Sequence, residues 1–184
     1  MSTTRILCAG FGGQGALLIG KLVAQAGMME GKHVTWLPSY GPEMRGGTAN
    51  VMTVVSDRPV GSPIFTKMDV LVALNQPSQD KFAPRVKAGG LILSNASLCT
   101  PPSEKAQDVK YISVPLTEIA ERIGNVKAGN MVAVGALVEL TGVVGPETVK
   151  HDLTEMLEKK NPKLLEQNLA AMDRGAEFAR EHQA

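Results

Sequence analysis

A glycine-rich segment near the start of the chain constrains the fold more than any other feature. The sequence GFGGQG (residues 10–15) directly follows the apolar run ILCA (residues 6–9). The spacing G-x-G-x-x-G between a strand and a helix is typical of the turn at which many α/β proteins hold a phosphate or a dinucleotide. It predicts a buried first strand and a helix that begins at Gly15.

Apolar runs and helical patterns alternate along the rest of the chain. Short apolar or β-branched runs predict strands at residues 5–9, 33–37, 48–56, 69–75, 90–95 and 110–114. Helical spacing predicts helices from Gly15 to about Gly31 and at residues 77–88, 116–123, 128–140, 146–159 and 162–182. This alternation predicts an open, mostly parallel α/β sheet with helices on both faces, which is Rossmann-like, in a single domain over residues 1–184.

The composition excludes several classes of protein. The 184 residues suffice for one domain with a buried core, and the net charge of +1 with 4% aromatic residues gives no sign of a nucleic-acid surface. No apolar run approaches the length of a membrane span, and the first predicted strand leaves no room for a signal peptide. We therefore expect a cytoplasmic protein with neither nucleic acid nor membrane as its partner.

The cysteines and histidines do not form a metal-binding pattern. Cys8 and Cys99 are far apart, and the three histidines are scattered, whereas clusters and structural zinc usually need four ligands. We expect no metal on this chain, and we expect Cys8 to be an inert thiol in a central strand. No pair of nucleophile and base is evident, so no catalytic residue is predicted.

The glycine-rich segment allows three interpretations. A dinucleotide site needs an acidic residue about 20 positions onward at the end of the second strand. That strand ends in TWLP (residues 35–38), without Asp or Glu. The other interpretations are a tight turn that packs a helix on a strand, and a loop whose amides and Gln14 meet a group brought by another chain.

A second unusual segment, SYGPEMRGG (residues 39–47), joins the second and third predicted strands. Its Gly and Pro residues predict an irregular loop at the sheet edge where open α/β proteins bind ligands. Tyr40, Glu43 and Arg45 are its candidate polar contacts, and Arg45 could hold a carboxylate or phosphate with two parallel hydrogen bonds. Alternatively, Glu43 and Arg45 pair with each other or with solvent.

Together these segments resemble one family, the γ subunit of 2-oxoacid:ferredoxin oxidoreductases. The resemblance rests on GFGGQG, SYGPEMRGG, ALNQPSQDKF (residues 73–82) and NMVAVGAL (residues 130–137), and it covers roughly residues 5–180. YGPEMRGGTAN followed by Gly61-Ser62-Pro63 is most similar to the 2-oxoglutarate branch. GGQG is shared with the indolepyruvate enzymes.

The resemblance implies that the chain is one subunit of a larger enzyme and is inactive alone. Such enzymes convert a 2-oxoacid and coenzyme A (CoA) to acyl-CoA, CO2 and reduced ferredoxin. It implies partner α and β subunits that hold thiamine diphosphate and Mg2+, a ferredoxin-like δ subunit or domain, and iron–sulfur clusters on partner chains. Alternatives are an indolepyruvate or pyruvate/ketoisovalerate oxidoreductase subunit, an independent dinucleotide-binding oxidoreductase, and a pure assembly module.

We predict that both loops face the partner subunits near the mouth of the active site and help to shape the approach of CoA. Asn75 is predicted to join this surface, although it could instead cap the next helix together with Ser78. The interface or ligand-facing residues predicted in this way are Gly10, Gly12, Gly13, Gln14, Gly15, Tyr40, Gly41, Pro42, Glu43, Arg45, Gly46, Gly47 and Asn75.

Overall fold

The chain forms one twisted sheet in a computed structural model that describes residues 2–40, 48–101 and 108–182. The strand order in these residues is β2-β3-β1-β4-β5-β6. The strands are β1 (Thr3–Phe11), β2 (His33–Tyr40), β3 (Thr48–Ser56), β4 (Met68–Ala73), β5 (Val86–Asn95) and β6 (Lys110–Val114). The predicted mostly parallel sheet is confirmed, because in the described residues only β3 runs against the other strands.

Helices follow most of the strands. They are α1 (Ala16–Met29), α2 (Gln76–Phe82), α3 (Leu116–Arg122), α4 (Gly129–Thr141), α5 (Pro146–Leu157) and α6 (Pro162–Glu181). Short 3-10 turns occupy Ala83–Arg85 and Val126–Ala128. Among the described helices, none combines the length and the apolar character needed to cross a membrane.

The helix predicted at residues 77–88 is wrong at its C-terminal end. The helical segment stops at Phe82, and a 3-10 turn leads into β5 at Val86. Pro84 cannot donate the backbone hydrogen bond that a continuing helix needs. Val86 instead pairs with Met68 of β4. Sheet pairing therefore overrides the helical pattern of residues 86–88.

The position of β3 separates β2 from β1. Both β2 and β1 pair antiparallel with β3, which lies between them. In the dinucleotide-binding arrangement the second strand lies beside the first, so that its terminal acid reaches the ribose. Here β3 separates the end of β2 from the glycine loop. The arrangement that a dinucleotide site needs is therefore not present in the described strands.

The helices cover the two faces of the sheet unequally. Ile6, Cys8 and Val51 belong to a large core shared with α1, α4 and α6. The opposite face has a smaller core, in which Leu7 and Ala73 pack with Phe82 of α2. Helices on both faces are therefore confirmed, with α2 as the described helix of the thin side. The change of face between α1 and α2 puts a crevice between β1 and β4.

Two glycines allow α4 and α6 to cross closely. A Cβ atom on Gly135 would collide with the carbonyl group of Met172, and one on Gly175 would collide with the carbonyl group of Val132. Gly135 and Gly175 are both buried, and α4 is buried along most of its length. This close contact sets the distance between the two helices, and the first turn of α4 borders the crevice.

Candidate functional site

A groove of about 260 Å³ lies at the edge of the sheet where the parallel strands end. The glycine loop (residues 10–15) forms one wall, and the first turns of α3 and α4 form the other. We call it the glycine groove. Its lining residues are Gly13, Gln14, Leu74, Asn95, Leu98, Leu116, Thr117, Val126, Lys127, Gly129 and Asn130. Ligands of open α/β proteins bind at such a crevice.

Gln14 fixes the shape of the glycine loop through its side chain. Its Oε1 accepts hydrogen bonds from the Phe11 backbone N–H at 2.6 Å and from Asn75 Nδ2 at 2.9 Å. Its Nε2 donates to the Leu74 carbonyl oxygen at 3.2 Å. The amide of Gln14 is thus engaged within the chain, and it ties the turn after β1 to the end of β4.

Two glycines of the loop are required by close neighbours. A Cβ on Gly10 would lie 2.8 Å from Gln14 Oε1 and 3.0 Å from Leu74 Cβ. Gly15 has φ +83°, and a Cβ there would collide with the side chain of Asn130. Gly13 also has positive φ, at +97°, but it faces open space and is exposed. The prediction of a tight turn that packs a helix on a strand is therefore met at Gly10 and Gly15, and Gly13 is left free to be approached.

Asn75 performs two roles at once. Its Oδ1 accepts a hydrogen bond from the Ser78 backbone N–H at 2.9 Å, which caps α2. Its Nδ2 donates to Gln14. The alternative of helix capping is therefore confirmed, and Asn75 nevertheless contacts the glycine loop. It is only 3% exposed, so it supports the groove from below and does not line it.

The glycine groove is electrostatically suited to an anion. The α1 helix begins beside it, and no side chain caps its N-terminus. The α4 helix continues directly from the 3-10 turn Val126–Ala128, whose Lys127 backbone N–H donates to Asn125 Oδ1 at 3.2 Å. Helix N-termini carry about half a positive charge and present free N–H groups. Lys127 adds a full positive charge on the same wall. Exposed Leu98 and Val126 give the rim an apolar part.

The second predicted loop begins and ends at this same edge. Gly10 pairs with Ala49, and Ala49 pairs with Tyr40, so these three residues form one row across the sheet. Tyr40 is the last residue of β2. Gly41, Pro42, Glu43, Arg45, Gly46 and Gly47 lie outside the described residues. The two loops thus leave the sheet at neighbouring strands, as the sequence predicted.

The cysteines lie apart from the groove lining. Burial raises the pKa of the Cys8 thiol to about 12 and also raises the pKa of Cys99. In the parts of the chain that are described, no three His, Cys, Asp or Glu side chains come together as metal ligands.

Sequence reasoning missed most of the far wall of the groove. Lys127, Asn130 and Thr117 line it, and none was predicted as a site residue. A signal existed, because Thr117 closely follows β6 and Asn95 ends β5. Residues that follow other parallel strands of the same sheet converge on one edge.

Comparisons with known proteins give consistent results. Residues 5–178 match the family described as pyruvate ferredoxin/flavodoxin oxidoreductase. The ketoisovalerate oxidoreductase subunit VorA of Methanothermobacter thermautotrophicus is 42% identical over 97% of this chain, but the match spans only 37% of VorA. The 2-oxoglutarate synthase subunit KorC of Methanocaldococcus jannaschii is 35% identical over 96% of this chain and 94% of KorC.

A solved structure shares the fold closely. It is the 2-oxoglutarate:ferredoxin oxidoreductase of Magnetococcus marinus with 2-oxoglutarate, coenzyme A and succinyl-CoA bound. The similarity has a TM-score of 0.91 at 27% identity and covers 98% of this chain and 32% of that one. The chain thus corresponds to about a third of the length of some of its relatives.

Proposed function

The chain belongs to the pyruvate ferredoxin/flavodoxin oxidoreductase family, and on this premise we propose that it is the gamma subunit of a 2-oxoacid:ferredoxin oxidoreductase. The complex converts a 2-oxoacid and CoA to acyl-CoA, CO2 and reduced ferredoxin. The family match over residues 5–178 and the similarity to KorC over nearly the full length of both chains support this proposal. We propose a cytoplasmic complex with alpha and beta subunits and a ferredoxin-like delta subunit or domain.

The chain's own residues do not fit an iron–sulfur cluster. Cys8 and Cys99 are both buried, and the thiolate form of Cys8 is strongly disfavoured. We therefore propose that the clusters, thiamine diphosphate and Mg2+ are held by the partner subunits. The thiamine group supplies the carbanion chemistry there, while this chain contributes a rigid wall and a binding surface.

We propose that the glycine groove receives a phosphate-bearing part of CoA. The observation that carries this proposal is the convergence of the uncapped N-terminus of α1 and the charge of Lys127 on one groove. Backbone N–H groups at helix N-termini bind phosphate without any side chain. The exposed Gly13 lets a ligand approach the backbone closely, and Leu98 and Val126 offer apolar contact to the rest of the molecule. We further propose that the segment at residues 40–47, including Arg45, helps to shape the approach of CoA.

The test is CoA-dependent turnover in the reconstituted complex. Lys127→Gln is expected to raise KM for CoA about tenfold, with kcat and subunit assembly unchanged, because it removes a phosphate contact but no buried packing. Arg45→Ala is expected to act in the same direction. Lys163→Gln, at an exposed position on α6, is the matched control. If KM for CoA is unchanged in both variants, the proposed role of the groove is wrong.

The identity of the 2-oxoacid is a separate proposal. We propose 2-oxoglutarate, which the YGPEMRGGTAN segment and the similarity to KorC support. A branched 2-oxoacid is the second candidate, because VorA is more identical to this chain than KorC is. Comparing kcat/KM for 2-oxoglutarate, ketoisovalerate, pyruvate and indolepyruvate in one preparation decides between them.

A further inference from the structure

A second groove lies at the opposite end of β1, remote from the glycine loop. Its volume is about 530 Å³, and we call it the arginine groove. It runs between the sheet and the segment that follows β3. Its lining residues are Thr3, Arg5, Val54, Ser56, Arg58, Pro59, Val60, Gly61, Ser62 and Ile64. Arg5 and Val54 pair across β1 and β3 and therefore share the thinly covered face of the sheet.

The arginine groove carries two positive charges and has no acidic residue in its lining. The carboxylate of Asp69, beside the groove, accepts hydrogen bonds from Lys87 Nζ at 2.6 Å and from the Arg5 backbone N–H at 2.7 Å. The Arg5 guanidinium reaches Asp69 only at 3.9 Å. Within the described ranges, the guanidinium of Arg58 has no hydrogen bond or ion pair at all. Arg58 can therefore bind an anionic partner directly, and Arg5 can do so beside its long ion pair with Asp69.

Asp57, the neighbour of Arg58, does not line the groove. Its carboxylate accepts a hydrogen bond from the Ser2 backbone N–H at 2.7 Å. That hydrogen bond lowers the pKa of Asp57, which therefore stays ionised at neutral pH and bound to the chain terminus. The lining of the groove thus carries positive charge only, although Arg5 also belongs to an ion-pair network with Asp69 and Lys87.

The rim of the groove is ordered and partly apolar. Ser56 Oγ accepts a hydrogen bond from the Arg58 backbone N–H at 3.2 Å and lies 2.7 Å from Thr3 Oγ1. Ser62 Oγ accepts from the Ile64 backbone N–H at 3.1 Å, which fixes the turn. The side chain of Ile64 is nevertheless 65% exposed. Arginine is enriched at energetically important positions of protein interfaces, and here it lines the same groove as an exposed apolar side chain on a fixed turn.

We propose that the arginine groove is the docking site for an acidic segment of a partner subunit. Carboxylates of that segment bind Arg5 and Arg58, and an apolar side chain of the same segment packs on Val60 and Ile64. The inference rests on the proposed role of the chain as a subunit of a complex. The Gly61-Ser62-Pro63 segment would then contact a partner subunit at the end of β1 that is opposite the proposed CoA surface.

The experiment measures the affinity of the full chain for the assembled partner subunits at two salt concentrations. Arg58→Glu is expected to weaken association more than tenfold, and Arg58→Ala about fivefold with a shallower dependence on salt. Lys163→Glu makes the same change of charge on α6 and is expected to bind like the unmodified chain. Thermal unfolding tests whether each variant is folded. We expect no loss of stability, because Arg58 is exposed and its guanidinium has no hydrogen bond or ion pair within the described residues.

A photo-crosslinking residue at position 64 identifies the partner surface in the same complex. We expect it to capture a peptide with Asp or Glu within a few residues of the cross-link. Unchanged association of Arg58→Glu while the unmodified chain assembles overturns this inference alone. Failure of the unmodified chain to bind any partner subunit overturns the proposed function as well. Arg58-dependent binding of inorganic phosphate with unchanged association would identify a small-anion site instead and would also overturn the docking proposal.

Discussion

Asn75 Nδ2 donates a hydrogen bond of 2.9 Å to Gln14 Oε1, although the two residues are 61 positions apart. The contact joins the turn that begins α1 to the cap that begins α2. These helices lie on opposite faces of the sheet, so the pair spans the point where the topology changes side. The floor of the proposed CoA surface is therefore held by one amide pair.

Replacing Gln14 tests this relationship. Gln14→Ala removes three hydrogen bonds of the loop and is expected to lower the free energy of unfolding by about 1–3 kcal/mol, because partly buried donors and acceptors lose their partners. Urea unfolding followed by the fluorescence of Trp36 measures the change. Gln167→Ala is the control, since Gln167 is half-buried like Gln14 but its side chain makes only one long hydrogen bond, of 3.5 Å to the Gly124 carbonyl oxygen. Equal stability of the two variants would contradict the structural role of Gln14.

The two thiols offer a second prediction. Burial raises the pKa of Cys8 to about 12, so that almost no thiolate forms at pH 8. Cys99 is buried as well, with a raised pKa. We expect iodoacetamide to modify neither cysteine in the folded chain over a time in which both react completely in denaturant. Mass spectrometry of the intact chain counts the added groups, and rapid labelling of the folded chain would contradict the buried placement.

The elements themselves could largely be predicted from the sequence. Residues 48–56 were predicted as a strand and form β3 with the same bounds, because TANVMTVVS combines β-branched residues with apolar ones. Residues 110–114 likewise form β6. In contrast, VKA at residues 86–88 has no local preference strong enough to resist its pairing with β4. The local sequence pattern determines the secondary structure of segments with a strong intrinsic preference. Pairing with a neighbouring strand determines it in segments without one.

Long-range relationships could not be predicted in this way. The hydrogen bond between Gln14 and Asn75 depends on the order of strands in space, which no local pattern encodes. The antiparallel course of β3, in contrast, is indicated by the length of the connection between β2 and β3. Only residues 41–47 separate β2 from β3, which is too short for the crossover of about a dozen residues that parallel neighbours need. Lys127 lies in the 3-10 turn before α4, and its place in the groove depends on the packing of elements distant in sequence.

The third prediction concerns the response to acid. Glu30 Oε1 accepts a hydrogen bond from the Gly145 backbone N–H at 2.6 Å, and Oε2 lies 2.9 Å from Lys32 Nζ. Burial by itself raises the pKa of Glu30, but the hydrogen bonds and the Lys32 charge outweigh it, so the net pKa is lowered. A lowered pKa stabilises the fold above the unfolded-state value and loses that contribution as pH falls through the folded-state value.

Glu30→Gln is therefore expected to be less stable than the unmodified chain at pH 7, by about 0.5 kcal/mol because the site is partly screened by solvent. The difference should shrink as pH falls below about 4.3, the ordinary glutamate value. Urea unfolding at a series of pH values measures it. A difference that stays constant from pH 7 to pH 3 would show that the charge of Glu30 does not contribute.

The last prediction concerns the crossing of α4 and α6. Gly135→Ala places a methyl group against the Met172 carbonyl, and Gly175→Ala does the same against the Val132 carbonyl. Since backbone cannot yield as a flexible side chain can, each variant is expected to cost about 1–3 kcal/mol or more. Gly61→Ala is the matched control, because its Cβ meets no atom within 4 Å and its φ is not positive. It should change stability by less than about 0.5 kcal/mol.

The two helix variants act on one contact, so their combined cost should be smaller than the sum of the separate costs. Additive costs in urea unfolding would mean that the helices do not move apart as a unit.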